Sequence, residues 1–144
     1  MQTFIRSTLL IASIGGGFMG CVSALNYFFA FSSWTIGGAI VNGLALTVFI
    51  YTLYAGLQFS KSASNTKQLS RAFLLQVPWL SSPILMYKIG TGISLAFMYS
   101  SHGGNYFFSL GANYSMAIFS DRPWGIGVNL AAIGFLMLIK LYKK

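Results

Sequence analysis

"NYFFSLGANYSMAIF", residues 105 to 119, lies in a chain that otherwise reads as membrane helix, yet its apolar residues recur at every second position. The even positions from 106 to 118 are Tyr, Phe, Leu, Ala, Tyr, Met and Ile, while the odd ones include Asn105, Ser109, Gly111, Asn113 and Ser115. Upstream the alternation returns in the opposite parity: Ile93, Leu95, Phe97 and Tyr99 alternate with Gly92, Ser94, Ala96, Met98 and Ser100. A period of two marks a strand with one apolar face. Between the runs lies "HGGN", and a Gly103-Gly104 turn tolerates the positive φ of a tight hairpin. Such a turn pairs Tyr99 with Phe108, Phe97 with Leu110, Leu95 with Ala112 and Ile93 with Tyr114, all on one face. The spacing predicts a β-hairpin over residues 92–119. A helix is the rival, because Phe107, Leu110, Tyr114 and Ile118 also form a stripe. It strands Tyr106, Phe108 and Met116 and explains neither the mirrored run nor the glycines.

The rest of the chain is read against this segment. At 144 residues, 56% hydrophobic and 7% charged, with mean hydropathy +0.70, it is too apolar to keep a water-soluble surface wet. Apolar runs predict four transmembrane helices, at about residues 8–31, 36–59, 70–89 and 124–140, each read as spanning a ~30 Å hydrocarbon core. The third contains Pro78 and Pro83, read as kinks. The expected fold is a mainly α membrane domain over residues 1–144, with the hairpin on the outer face between the third and fourth helices. "FMGC" at 18–21 loosely resembles a lipoprotein cleavage site and "VSA" at 22–24 a signal-peptidase site. The apolar run continues past both to Phe31, so it is read as a retained span.

Nine Lys and Arg against one acidic residue give a formal charge of +8. The cations sit at the ends of apolar runs, which points to anionic headgroups and topology rather than nucleic acid. Arg6, Lys61, Lys67, Arg71, Lys140, Lys143 and Lys144 fall on one side of the four-helix arrangement. The positive-inside rule then puts both termini in the cytoplasm, in a cell inner (plasma) membrane. Trp34, Trp124 and Tyr142 read as interface anchors, whereas Trp79 falls mid-span. Small-residue pairs at Gly16 and Gly20, Ala39 and Gly43, and Gly127 and Ala131 have the spacing of close helix contacts.

The inventory for chemistry is thin. One Asp, no Glu, one His and one Cys exclude paired carboxylates, di-metal sites, two-His haem ligation and an internal disulfide. No catalytic residue, metal or cofactor is expected. His102 reads as a solvated loop residue, and Asp121 with Arg122 as a local ion pair or the start of a helix. Asn26, Asn42, Lys88 and Asn129 all come to the outer third of the predicted spans. They form either helix-packing amides with a snorkelling lysine or an outward-facing polar pocket. Gln76 is expected to be a helix contact.

The expected function is that of a noncatalytic accessory subunit or of an assembly or binding factor. It would dock a larger membrane complex, or another copy of itself, through Ile93, Leu95, Phe97, Tyr99, Phe108, Leu110 and Tyr114. A small transporter or holin-like oligomeric pore is the alternative. A lipid-modifying enzyme comes third, since it needs His102, Asp121 and Lys88 to converge.

Overall fold

The computed structural model describes residues 2–30, 35–119 and 121–142. Helices α1 (Gln2–Leu10) and α2 (Gly16–Phe29) are joined through a π-helical turn, Ile11–Gly15, into one rod. Helix α3 (Ile36–Lys61) packs along it. Thr35 caps α3 by accepting from the Gly38 N–H at 3.0 Å, which satisfies one of the donors a helix start leaves free. A Cβ on Gly17 would stand 2.9 Å from the Leu53 nitrogen, and one on Gly20 would enter the Phe49 ring, so the backbones meet where side chains are missing. These rods match the first two predicted spans, and both are long and apolar enough to cross a membrane. Phe31, Trp34, Lys143 and Lys144 lie outside the described residues.

The other two predicted spans are not helices across a bilayer, and the four-helix architecture is overturned. Helix α4 (Thr66–Leu74) ends before the prolines, and strands β1 (Pro78–Ser81) and β2 (Leu85–Gly90) occupy the rest of the third span. Pro78, with no N–H to give, opens β1, a strand position proline tolerates. Pro83 sits in the β1–β2 turn, closed by Leu85 N–H donating to Ser82 Oγ at 3.0 Å. In the fourth span, "GIGVN" alternates and forms β6 (Gly125–Asn129) before α5 (Leu130–Tyr142) begins. At 13 residues, α5 reaches about 20 Å, short of the hydrocarbon core. The protein is α+β, with two long apolar helices and a six-stranded antiparallel sheet rather than four spans.

The predicted hairpin is present as β3 (Ile93–Ser100) and β4 (Gly103–Leu110), within a larger device. Strands β2 and β3 form one arm of a long hairpin, and β4 and β5 (Asn113–Ile118) form the other. One register runs from Leu85↔Ile118 through Ile93↔Leu110 to Ser100↔Gly103. Both arms bend at the same height, at Thr91-Gly92 and Gly111-Ala112, where Gly92 and Gly111 take φ of +77° and +90°. The Gly111 N–H donates to Gly92 O at 2.7 Å across the bend. Strands β6 and β1 lie side by side between β3 and β2, filling the space between the two halves that the bend separates, which gives the order β4-β3-β6-β1-β2-β5 and a curled half-barrel.

The expected pairs are each displaced by four residues. Tyr99 faces Gly104, Phe97 faces Tyr106, Leu95 faces Phe108 and Ile93 faces Leu110. Ser101-His102, not Gly103-Gly104, connects the strands. Because four is an even shift, every apolar side chain keeps its face.

The bend is seated on the π-turn of the first rod: a Cβ on Gly16 would lie 2.8 Å from the Thr91 Cβ, and one on Gly92 would lie 2.7 Å from the Ala12 Cα. Beside it, fully buried Gln76 accepts from the Thr91 N–H and from the Thr91 hydroxyl, both at 2.9 Å, and donates to Ala72 O at 3.2 Å and Thr52 Oγ1 at 3.4 Å. The helix contact expected of Gln76 is therefore part of a junction among α3, α4 and the sheet. One apolar core around Leu9, Phe59, Phe73, Phe135 and Ile139 unites α1, α3, α4 and α5; a second, around Ala24, Ala45, Phe49 and Ile89, joins α2 and α3 to β2 and β5. Of the small-residue pairs, Gly43 has nothing within 4 Å of an added Cβ, and Gly127 packs within the sheet instead.

Candidate functional site

Alternation along the strands divides the sheet into two faces of opposite character. The even positions of β4 to β6 and of β1, with the odd positions of β2 and β3, point to the convex side. Over β2 and β5 this side is covered: Tyr87, Ile89, Tyr114 and Met116 pack against α2 and α3, with the Phe49 and Tyr114 rings edge to face at 5.7 Å. Over β3, β4 and β6 it is bare. Tyr106, Phe108 and Leu110 are 77%, 68% and 70% exposed, and Ile93, Leu95, Tyr99, Ile126 and Val128 extend the same surface. Phe97, between them, is half-buried. Towards the Trp124 loop the surface opens into an apolar trough of about 600 Å³ walled by Leu80, Leu85, Tyr99, Trp124 and Ile126.

The concave side is the polar one. Trp79 of β1 lies 5.9 Å from Phe107 of β4, and the Lys88 ammonium of β2 lies over the same Phe107 ring at 4.9 Å and over Trp79 at 5.9 Å. The two contacts to Phe107 reach across strands that are not neighbours, which shows how far the sheet curls. A cavity of about 210 Å³ opens beside them, lined by Ser81, Lys88, Ser100, Asn105, Phe107 and Arg122 together with two methionines and Pro123. Burial, and then the positive charge of Arg122, hold the Lys88 amine below its ordinary value. Elsewhere on this face, Ser94 Oγ and Asn129 Nδ2 are buried with no hydrogen-bond partner among the described residues.

The residues singled out in the sequence are distributed over both faces. Asn26 is exposed on α2. Asn42 is buried on α3, donates to Gly38 O at 2.8 Å and accepts the Tyr114 hydroxyl proton at 2.6 Å. Asn129 ends β6, where its Oδ1 accepts from the Ala132 N–H at 3.4 Å and caps α5. Lys88 meets Trp79, Phe107 and Arg122. The structure therefore brings together Asn42 with Tyr114, and Lys88 with Arg122. His102 sits exposed in the β3–β4 turn, its backbone N–H donating to Ser100 Oγ at 3.3 Å. Among the described residues, no three His, Cys, Asp or Glu side chains group as metal ligands.

Arg122, Asn105 and Phe107 were not recognised as a group in the sequence. A signal for Asn105 existed in the polar parity of "NYFFSLGANYSMAIF", but Lys88 lay in a segment read as helix, which removed the other wall. Tyr114→Phe is expected to cost about 1–2 kcal/mol by leaving Asn42 Oδ1 buried without its donor. Thermal unfolding in detergent micelles measures this, and an unchanged midpoint would show the hydrogen bond to be dispensable. No family model, curated protein or solved structure matches the chain.

Proposed function

We propose that the protein is a noncatalytic membrane-associated binding or assembly factor, whose bare convex sheet face docks a partner protein within a larger membrane complex. The observation carrying this reading is the continuous apolar surface made by Leu95, Tyr106, Phe108, Leu110, Ile126 and Val128. Exposed apolar patches of this kind mark interaction surfaces. Strand β4 ends the sheet beside them, so its free edge adds backbone hydrogen bonds to the offer. In this reading the rods α1–α2 and α3 lie in the lipid of the cell inner membrane. Arg6, which donates to Ser60 O at 2.9 Å, and Lys61, Lys67, Arg71 and Lys140 gather about the opposite end of the helices. Both termini then lie on the cytoplasmic side, where these cations meet anionic headgroups.

Phe108→Asp combined with Leu110→Asp tests the docking. Both side chains are exposed, so the fold and membrane insertion persist, while a stoichiometric complex recovered with the wild-type chain in mild detergent is expected to be lost. Recovery of the same complex with the double variant would overturn the reading.

A second reading, an oligomeric pore, draws support from the polar concave and apolar convex faces, the polarity of sheets that line aqueous passages through lipid. Dye release from vesicles carrying the purified protein favours the pore. Tight vesicles with an intact complex favour docking.

A further inference from the structure

We propose that the concave face of the half-barrel is a binding site for a phosphate-class oxyanion, held between Lys88 and Arg122. The cavity there, about 210 Å³, equals about seven water volumes, enough for a tetrahedral anion and part of its hydration shell. Its rim carries two cations and the neutral side chains of Ser81, Ser100 and Asn105, of which the Ser81 and Ser100 hydroxyls donate to Pro123 O and Gly103 O, and among the described residues no carboxylate lines it.

Lys88 is held from behind by the faces of Phe107 and Trp79. Those rings stabilise the charge and leave its N–H donors to be used in the cavity. Arg122 adds a planar fork suited to two oxygens of one phosphate. The lowered Lys88 value records its desolvation and then its repulsion by Arg122. An anion between them turns the repulsion into two attractions.

The one acidic side chain in the sequence, Asp121, is exposed and adjacent to Arg122. It is absent both from the cavity lining and from the groups acting on Lys88.

The test uses the full chain in a neutral maltoside detergent, titrated with inorganic phosphate and followed by calorimetry, with Lys88→Gln, Arg122→Gln and Asp121→Asn alongside. Saturable binding is expected in the wild type, with a loss of tenfold or more in each cation variant and none in Asp121→Asn. The thermal midpoint reports folding, and Arg122→Gln, at an exposed position, keeps the comparison usable should Lys88→Gln unfold. Vesicles of phosphatidylglycerol or phosphatidylcholine then identify the source. Competition with phosphate by phosphatidylglycerol alone assigns a lipid headgroup, and no competition by either assigns a free anion. Absence of saturable phosphate binding, or equal binding in the folded cation variants, overturns the proposal. Neither result bears on the convex face, whose docking is read separately through Phe108 and Leu110.

Discussion

Gly92→Val is expected to prevent the sheet from docking on the first helix and to lower stability by about 4 kcal/mol. Two independent terms produce this. Residue 92 holds φ of +77°, a conformation that costs an L side chain, and a β-branched one above all, about 1–3 kcal/mol. The new Cβ would also stand 2.7 Å from the Ala12 Cα, against helix backbone that has nowhere to withdraw. Overpacking of that kind costs about 1–3 kcal/mol more. Far-ultraviolet circular dichroism in detergent should show helix signal retained beside lost strand signal, and a markedly lower melting midpoint. Gly134→Ala is the control, since α5 has open space at that position and alanine favours the helix by about 0.5–1 kcal/mol. A Gly92→Val protein that melts with the wild type would show that the seat on the π-turn does not hold the sheet.

Gln76→Leu should cost about 2–4 kcal/mol, although leucine is apolar and nearly fills the space. The loss comes from what remains behind: the Thr91 N–H and hydroxyl stay buried with the partner they shared gone. Stranded polar groups cost more than the hydrogen bonds contribute when intact. Thr91→Val removes one of those groups, so adding it to Gln76→Leu should cost less than the two single changes predict. A double-mutant cycle on the unfolding midpoints measures the difference. Strict additivity would mean that the amide and the threonine do not act together.

The two rods and the parity of 92–119 were legible because each depends on near neighbours. A long apolar run with glycines at close-packing positions reads as a helix whatever surrounds it, and alternation over eight residues reads as a strand. The segments at 70–89 and 124–140 were not legible in this way. "VPWLSSPILMYKIG" has no clean period, and its apolar content suits a buried strand as well as a membrane helix. The prolines were the available signal, and reading them as breaks rather than kinks would have ended the helix where α4 ends.

By itself the sequence determined which side chains share a face: an even displacement of the register leaves every inward and outward residue where the alternation put it. Only the tertiary structure decided the register itself, the bend at Gly92 and Gly111, and the insertion of β1 and β6 between the two halves of the bent hairpin. It also decided that Lys88 and Arg122 line one cavity. These features rest on contacts between residues far apart in the chain, chosen by how the sheet packs on the helices. No local pattern carries that information.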